Sequence, residues 1–372
     1  MEKNIEKLDI DIEYDLWTYL KMQSKPIVMY GMGNGADKIL GVCAKFGIEV
    51  KDFFASDGFV RGHLFHGKPV LSYSTVCEKH GKGNFIVLLS FASSLDTVIE
   101  NIKRIASENE LYAPDVPVSG DGLFDLEYFR SNYDKFNRAF NMMADIQSKR
   151  IFQNVIMYKL SGRIDFLFDA ESDENEVFSE ILSPKNYKTY ADLGAYNGDT
   201  VRKLLTYTES VKDVIALEPD RRSFKKLQAY AESEQRCRVL TYNAAAWSEH
   251  TTLTFDDSGN RNSNVNARST LNSKIREVSA EPLDDIFSAS DIACIDYIKY
   301  DVEGSEREAI LGSLNVIKDH SPDLLISLYH RNEDMFDLPI LISEIAPEYK
   351  LYLRRFKYIP AWDLNLYCIK RS

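Results

Sequence analysis

The sequence predicts an α/β protein in which two doubly wound, mostly parallel sheets are joined by a stretch of helices. Three observations carry that prediction. Apolar runs of strand length alternate with helix-length amphipathic stretches in both halves of the chain, the pattern of βαβ units. Two glycine-bearing turns, GMGNGA (31–36) and DLGAYNGDT (192–200), each follow a strand-like run and open a helix-like one. The last two strand candidates, KLYLRRF (350–356) and LNLYCIK (364–370), succeed each other with no helix between.

Taken in order, the chain divides into three zones: an α/β unit over 1–120, a helical connector over 121–186 and a second α/β unit over 187–372. In the first, PIVMY, IEVKDFFASD, GKPVLS and NFIVLLSF read as strands. A helix runs from the first glycine turn to Phe46, where Gly47 stops it, and TVIENIKRIASE supplies another. In the connector, Tyr128, Phe129, Tyr133, Phe136 and Phe140 recur at three- and four-residue intervals, which predicts helices packed on an apolar face. These helices are placed to bridge the two sheets and to offer a homodimer interface. ESDENEVFSE reads as a helix N-terminus, where acidic residues complement the dipole. The third zone reads TYADLGA, DVIALEPD, RVLTYNAA, DYIKYDVEG, DLLISLYH, KLYLRRF and LNLYCIK as strands, with helices at TVRKLLTYT, RRSFKKLQAYAES and SEREAILGSLNVIKDH.

Composition narrows the function. The 372 residues are 44% hydrophobic and 27% charged, with 45 basic against 57 acidic side chains and a net charge of −12. That argues against a nucleic-acid footprint and a polybasic membrane tether. No apolar run nears the ~18 residues of a membrane span. The first residues, MEKNIEKLDIDIEYD, lack the basic-then-apolar order of a signal peptide, so a cytoplasmic protein is expected. The five cysteines (Cys43, Cys77, Cys237, Cys294, Cys368) are scattered, with no Cys-x-x-Cys, and are expected to be core residues rather than zinc ligands.

The turn at 192–200 carries the chemistry. Asp192 ends a strand, and Gly194 and Gly198 allow a tight turn into the next helix. Glu218 stands at the equivalent end of the following strand, where an acid accepts both hydroxyls of a ribose. Ligands of open α/β sheets bind outside these carboxyl ends.

DLGAYNGDT, ALEPD (216–220), YNAAAW (242–247), YIKYDVEGSEREAI (297–310) and LISLYHRNEDMFDLP (325–339), in that order, closely resemble the FkbM-type S-adenosylmethionine-dependent methyltransferases. The resemblance spans about residues 187–370. It implies a class I methyltransferase fold, with a seven-stranded, mostly parallel sheet whose last strand is antiparallel. Asp192, Gly194, Ala195, Tyr196 and Gly198 then line the methionine and ribose end of S-adenosyl-L-methionine, Glu218 holds the ribose diol, and Asn243 and Ala244 edge the adenine. The implied acceptor is a sugar hydroxyl of a polysaccharide, glycolipid or secondary metabolite.

A hydroxyl acceptor has to be aligned and to lose its proton. The groups at the carboxyl ends of the fourth and fifth strands are Asp301, Glu303, Glu306 and His330, with Lys299 inside the fourth strand. Three readings stand. His330 is the general base, with Asp301 and Glu303 completing the catalytic set; its ordinary pKa of about 6.5 suits that role. Alternatively Asp301, Glu303 and His330 hold a divalent metal, Mg²⁺ or Mn²⁺. In the third, Glu303 and Glu306 only cap a helix and His330 is a turn residue.

Three further features remain. DDSGNRNSNVNARST (256–270) reads as a lid or a surface hairpin; Arg261 and Ala267 occupy positions where a calcium loop needs Gly and Glu. Arg354, Arg355 and Lys357 read as a solvated basic surface, with contact to an anionic acceptor such as a nucleotide-sugar as the alternative. In the first zone, Gly31, Gly33 and Ala36 fit G-x-G-x-x-G/A, with Asp57 at the end of the next strand. This raises an NAD(P)-dependent sugar oxidoreductase or a non-catalytic nucleotide-binding protein as alternatives. With GHLFHGKPVLS (62–72) the region resembles, more loosely, the small Rossmann-like domains of sugar-modifying enzymes; His63 and His66 read as loop residues.

Overall fold

The computed structural model describes residue 5 and residues 7–120, 122–256 and 275–370. The loop 256–270 therefore lies, beyond Asp256, outside the described residues.

The first half folds as the strand–helix alternation requires. β1 (Ile27–Tyr30), β2 (Val50–Ala55), β3 (Leu64–Phe65), β4 (Lys68–Ser72), β5 (Ile86–Leu89) and β6 (Glu110–Tyr112) form a six-stranded sheet in the order β3-β4-β2-β1-β5-β6. All pairs are parallel except β3–β4. β1 and β5 are buried along their whole length, as expected of strands covered on both faces.

The second half contains β7 (Thr189–Leu193), β8 (Asp213–Leu217), β9 (Arg238–Tyr242), β10 (Ala245–Ala246), β11 (Thr251–Asp256), β12 (Ile275–Glu281), β13 (Tyr297–Tyr300), β14 (Asp323–Ser327), β15 (Lys350–Arg355) and β16 (Leu364–Ile369). Seven of these make one sheet in the order β15-β16-β14-β13-β7-β8-β9. Only β16 runs antiparallel to its neighbours, so the predicted α/β architecture with its reversed last strand is the one observed. β10, β11 and β12 form a small separate sheet. The predicted helix from 305 to 320 breaks at Gly312, where a β-carbon would stand 1.9 Å from the carbonyl oxygen of Trp247.

The helices of the connector are packing elements. Helices Tyr133–Met142 and Ile146–Ser161 bury Phe136, Phe140 and Phe152, and Phe136 meets Phe336 edge-on at 4.8 Å. Phe336 belongs to helix Asp334–Ile345, which follows His330 directly. Helix Ile146–Ser161 also braces β15. Ser148 Oγ accepts from the backbone N–H of Leu353 at 2.9 Å. Arg354 is 3% and Arg355 1% exposed, which corrects their reading as a basic surface. Arg354 Nη2 pairs with Asp145 Oδ2 at 2.7 Å, and Arg355 Nη1 donates to Leu167 O at 2.8 Å. Adjacent strand residues point to opposite faces, and both faces of β15 are covered.

Neither arginine is therefore free for an acceptor. We expect Arg354→Met, which leaves Asp145 without its cation, to cost about 3 kcal/mol, measured as a fall in melting temperature.

Candidate active site

The carboxyl ends of β7, β8 and β13 converge on a cavity of about 700 Å³. Its wall includes Gly194, Tyr196, Thr200, Glu218 and Ala244 on one side and Lys299, Asp301, Glu303, Tyr329, Tyr358, Trp362 and Asp363 on the other. Val118, from the segment after β6, also reaches it.

Below the glycine turn lies a buried charge pair. Asp192, fully buried on β7, accepts from Lys299 Nζ at 3.3 Å and from the Thr200 hydroxyl. Lys299, from β13, also donates to Gly194 O at 3.2 Å and stands 3.4 Å from Asp301 Oδ2. Burial raises the Asp192 pKa and outweighs the attraction of Lys299. For Lys299, burial is overcome by Asp192 and Asp301, and its pKa rises. Gly194 has φ +88°, and a β-carbon on it would stand 1.9 Å from Asp301 O. The glycine is required because the ends of β7 and β13 approach so closely.

Glu218 is 7% exposed and is fixed by backbone donors, Tyr196 N to Oε2 and Asp220 N to Oε1, both at 2.8 Å. Burial pushes its carboxyl up to about 8 against those hydrogen bonds. Asn243 is exposed and turns its amide onto the carbonyls of Glu218 and Pro219, at 2.8 and 3.1 Å. Of the expected cofactor residues, Gly194, Tyr196, Glu218 and Ala244 reach the cavity wall. Asp192, Ala195, Gly198 and Asn243 do not. Asp192 is spent on Lys299 and Thr200 behind the turn, which corrects its expected place against the ligand.

Across the cavity, four carboxylates stand around one histidine and one lysine. His330 Nδ1 bonds Glu306 Oε1 at 2.8 Å, and the same oxygen accepts from Val302 N at 2.9 Å. His330 Nε2 lies 3.6 Å from Asp301 Oδ1 and 3.5 Å from Glu303 Oε2. Asp301 Oδ1 also accepts from the Tyr329 hydroxyl at 3.0 Å. Glu303 takes the left-handed backbone conformation, φ +56°, an uncommon one for a residue with a β-carbon. Burial raises its carboxyl to about 7. Burial alone would lower His330, but Glu306, then Glu303 and Asp301, carry it up to about 10.

The general-base role for His330 is corrected by this geometry. Its ring is 1% exposed, lies behind the wall and is held by Glu306, so it does not reach an acceptor. Its neighbours also keep it protonated near neutrality. Glu306, read as a possible helix cap, is instead the partner that fixes this ring. Thr200, Tyr358, Trp362 and Asp363 are site residues that the motifs did not single out. The last three lie on the connection between β15 and β16, and only tertiary packing brings them to the cavity.

The first glycine turn has a different surrounding. A β-carbon on Gly31 would stand 2.6 Å from Phe91 Cδ1, and one on Gly35 2.2 Å from Ser90 O. Close packing against the end of β5 accounts for these two glycines. Asp57 is exposed and accepts from Ser74 N at 3.3 Å.

Residues 192–360 match the family model described as the Methyltransferase FkbM domain. Among solved structures, methyltransferase FkbM from Methylobacillus flagellatus KT is 21% identical over 93% of this chain and 90% of that one, with a TM-score of 0.69. This likeness of fold extends well beyond the matched domain. Slighter likenesses include Aeropyrum pernix fibrillarin in complex with S-adenosyl-L-methionine (8% identity, 50% of this chain and 67% of that chain, TM-score 0.31). Another is TrmK of M. capricolum in complex with S-adenosyl-homocysteine (14%, 53% and 67%, 0.32). No curated protein matches the chain. Among the described residues, no helix is long and apolar enough to cross a membrane.

If Gly194 is set by its approach to Asp301, Gly194→Ala must part the ends of β7 and β13. We expect a loss of about 2–3 kcal/mol in denaturant unfolding, together with loss of nucleoside binding.

Proposed function

We propose that the protein is an S-adenosylmethionine-dependent methyltransferase acting on a hydroxyl of a carbohydrate-type acceptor. The observation that carries the proposal is Glu218, a buried carboxylate presented to the cavity at the end of β8, beside the glycine turn of β7. The match of residues 192–360 to the FkbM methyltransferase domain supports the same reading. In this proposal, residues 187–372 are the methyltransferase unit, and residues 1–120 and 121–186 complete its acceptor side.

The donor set fits the cofactor. Glu218 accepts the ribose hydroxyls, the Gly194–Tyr196 turn receives the amino-acid end, and Ala244 borders the base. When bound, S-adenosylmethionine supplies a methyl group on a positively charged sulfur. The chain's part is alignment and proton transfer: the cavity wall would hold the acceptor hydroxyl in line with that methyl group, and Glu303 would take the hydroxyl proton. Tyr329, Tyr358 and Trp362 offer apolar ring faces beside the carboxylates Asp301, Glu303 and Asp363. That pairing suits a sugar, which has apolar C–H faces and a rim of hydroxyls.

Calorimetric titration with S-adenosylmethionine, followed by measuring S-adenosylhomocysteine released in the presence of sugar acceptors, tests the proposal. Absence of saturable cofactor binding overturns it. Trp362→Ala is expected to raise the acceptor KM about tenfold, from a loss of roughly 1–1.5 kcal/mol of ring contact, with the cofactor Kd unchanged.

Glu218 also sets a pH dependence. Its raised pKa leaves it protonated below about pH 8 in the free protein, whereas acceptance of two ribose hydroxyls needs the carboxylate. Binding therefore expels a proton. Affinity should rise by up to roughly tenfold per pH unit as pH climbs toward about 8, and level off above it. Glu218→Gln should bind more weakly at high pH and lose the dependence.

A further inference from the structure

Beside the cavity, the His330 ring is held at one nitrogen and open at the other. Nδ1 is engaged by Glu306 at 2.8 Å. Nε2 is buried and has no hydrogen-bond partner. It points between Asp301 Oδ1 at 3.6 Å and Glu303 Oε2 at 3.5 Å, beyond the 2.7–3.2 Å of an N–H···O hydrogen bond.

We propose that His330 Nε2, Asp301 and Glu303 bind a divalent cation of the Mg²⁺ or Mn²⁺ class. Four features of the arrangement support this. A cation about 2.1 Å from each ligand sets neighbouring ligand atoms about 3.0–3.4 Å apart, close to the 3.6 and 3.5 Å that separate Nε2 from Asp301 and Glu303. An imidazole with two carboxylates is a hard donor set that suits these ions. Glu306 on Nδ1 is the carboxylate that commonly orients a metal-binding histidine from behind. Finally, Asp192, Asp301, Glu303 and Glu306 are four carboxylates beside two basic groups, Lys299 and His330, so the pocket has negative charge to spare for a dication.

The proton on Nε2 and the cation are alternative occupants of the same lone pair. Asp301 and Glu303 lie on the cavity wall while His330 lies behind it, so the ion sits in the wall with its remaining coordination positions open to the cavity. There it polarises an acceptor hydroxyl, and the second oxygen of Glu303 takes the proton. This catalytic meaning rests on the methyltransferase reading; ion binding does not.

The test uses the full-length protein, titrated with MnCl₂ and followed by loss of the free-ion electron spin resonance signal. We expect one saturable Mn²⁺ per chain, displaced by excess Mg²⁺. Glu303→Gln, Asp301→Asn and His330→Gln should each weaken it roughly tenfold or more. Glu303 is partly exposed, so the melting temperature of Glu303→Gln should match the parent and separate ion loss from unfolding. Absence of saturable Mn²⁺ in the parent, or parental affinity in a folded Glu303→Gln, overturns the proposal. Titration of the same samples with S-adenosylmethionine separates the two readings. Mn²⁺ without cofactor binding overturns the transferase and supports the ion site, whereas cofactor binding without Mn²⁺ does the reverse.

Discussion

The site depends on one buried ammonium group. Lys299 Nζ gathers Asp192 from β7, the carbonyl of Gly194 in the turn and Asp301 at the end of its own strand. Removing such charges from water costs several kcal/mol per ion, and the cost is recovered only with close partners on every side. The cluster therefore tolerates little displacement. It fixes where β7 and β13 end relative to each other, which fixes the turn that carries Tyr196. Through the Tyr196 N–H, it also fixes Glu218. The Glu218 side of the cavity and the acid-rich wall opposite are two faces of the same electrostatic knot.

The rest of the chain acts as its scaffold. The connector clamps β15 through Asp145, Ser148 and Arg354. It also seats helix Asp334–Ile345 through the Phe136–Phe336 contact. The first sheet contributes directly as well. Ser119 N donates to His330 O at 3.0 Å, and Lys38 Nζ reaches the carbonyls of Pro117 and Val118 at 2.9 and 3.3 Å. Ser93 bridges to Ile359, beside Tyr358 on the cavity wall.

What the sequence discloses follows from range. The glycine turns, the acid at the end of β8 and the alternation of strands and helices are local patterns, and each is legible in a short window. The pairings that give the site its chemistry are not. Asp192 and Lys299 are 107 residues apart, and Glu306 and His330 are 24 apart. Nothing near Glu306 distinguishes a helix cap from a histidine's partner. KLYLRRFK reads as a basic edge because no residue in it reveals the helices that cover both faces of β15. The first glycine turn shows the opposite limit. Its spacing, Gly31, Gly33 and Ala36, matches a nucleotide loop, yet packing against Ser90 and Phe91 already requires the first of these glycines and the neighbouring Gly35, while a β-carbon on Gly33 would meet nothing.

The two ends of the cavity differ in what holds them. The end lined by Gly194, Tyr196 and Glu218 is built from the second half of the chain. The opposite rim is stitched across both halves of the molecule, by Ser93 to Ile359 and Ser119 to His330. Any flexing between the halves consequently alters the width of that rim while the end that holds Glu218 keeps its shape. The bore of the opening is thus a mechanical property of the seam, separable from the geometry around Glu218.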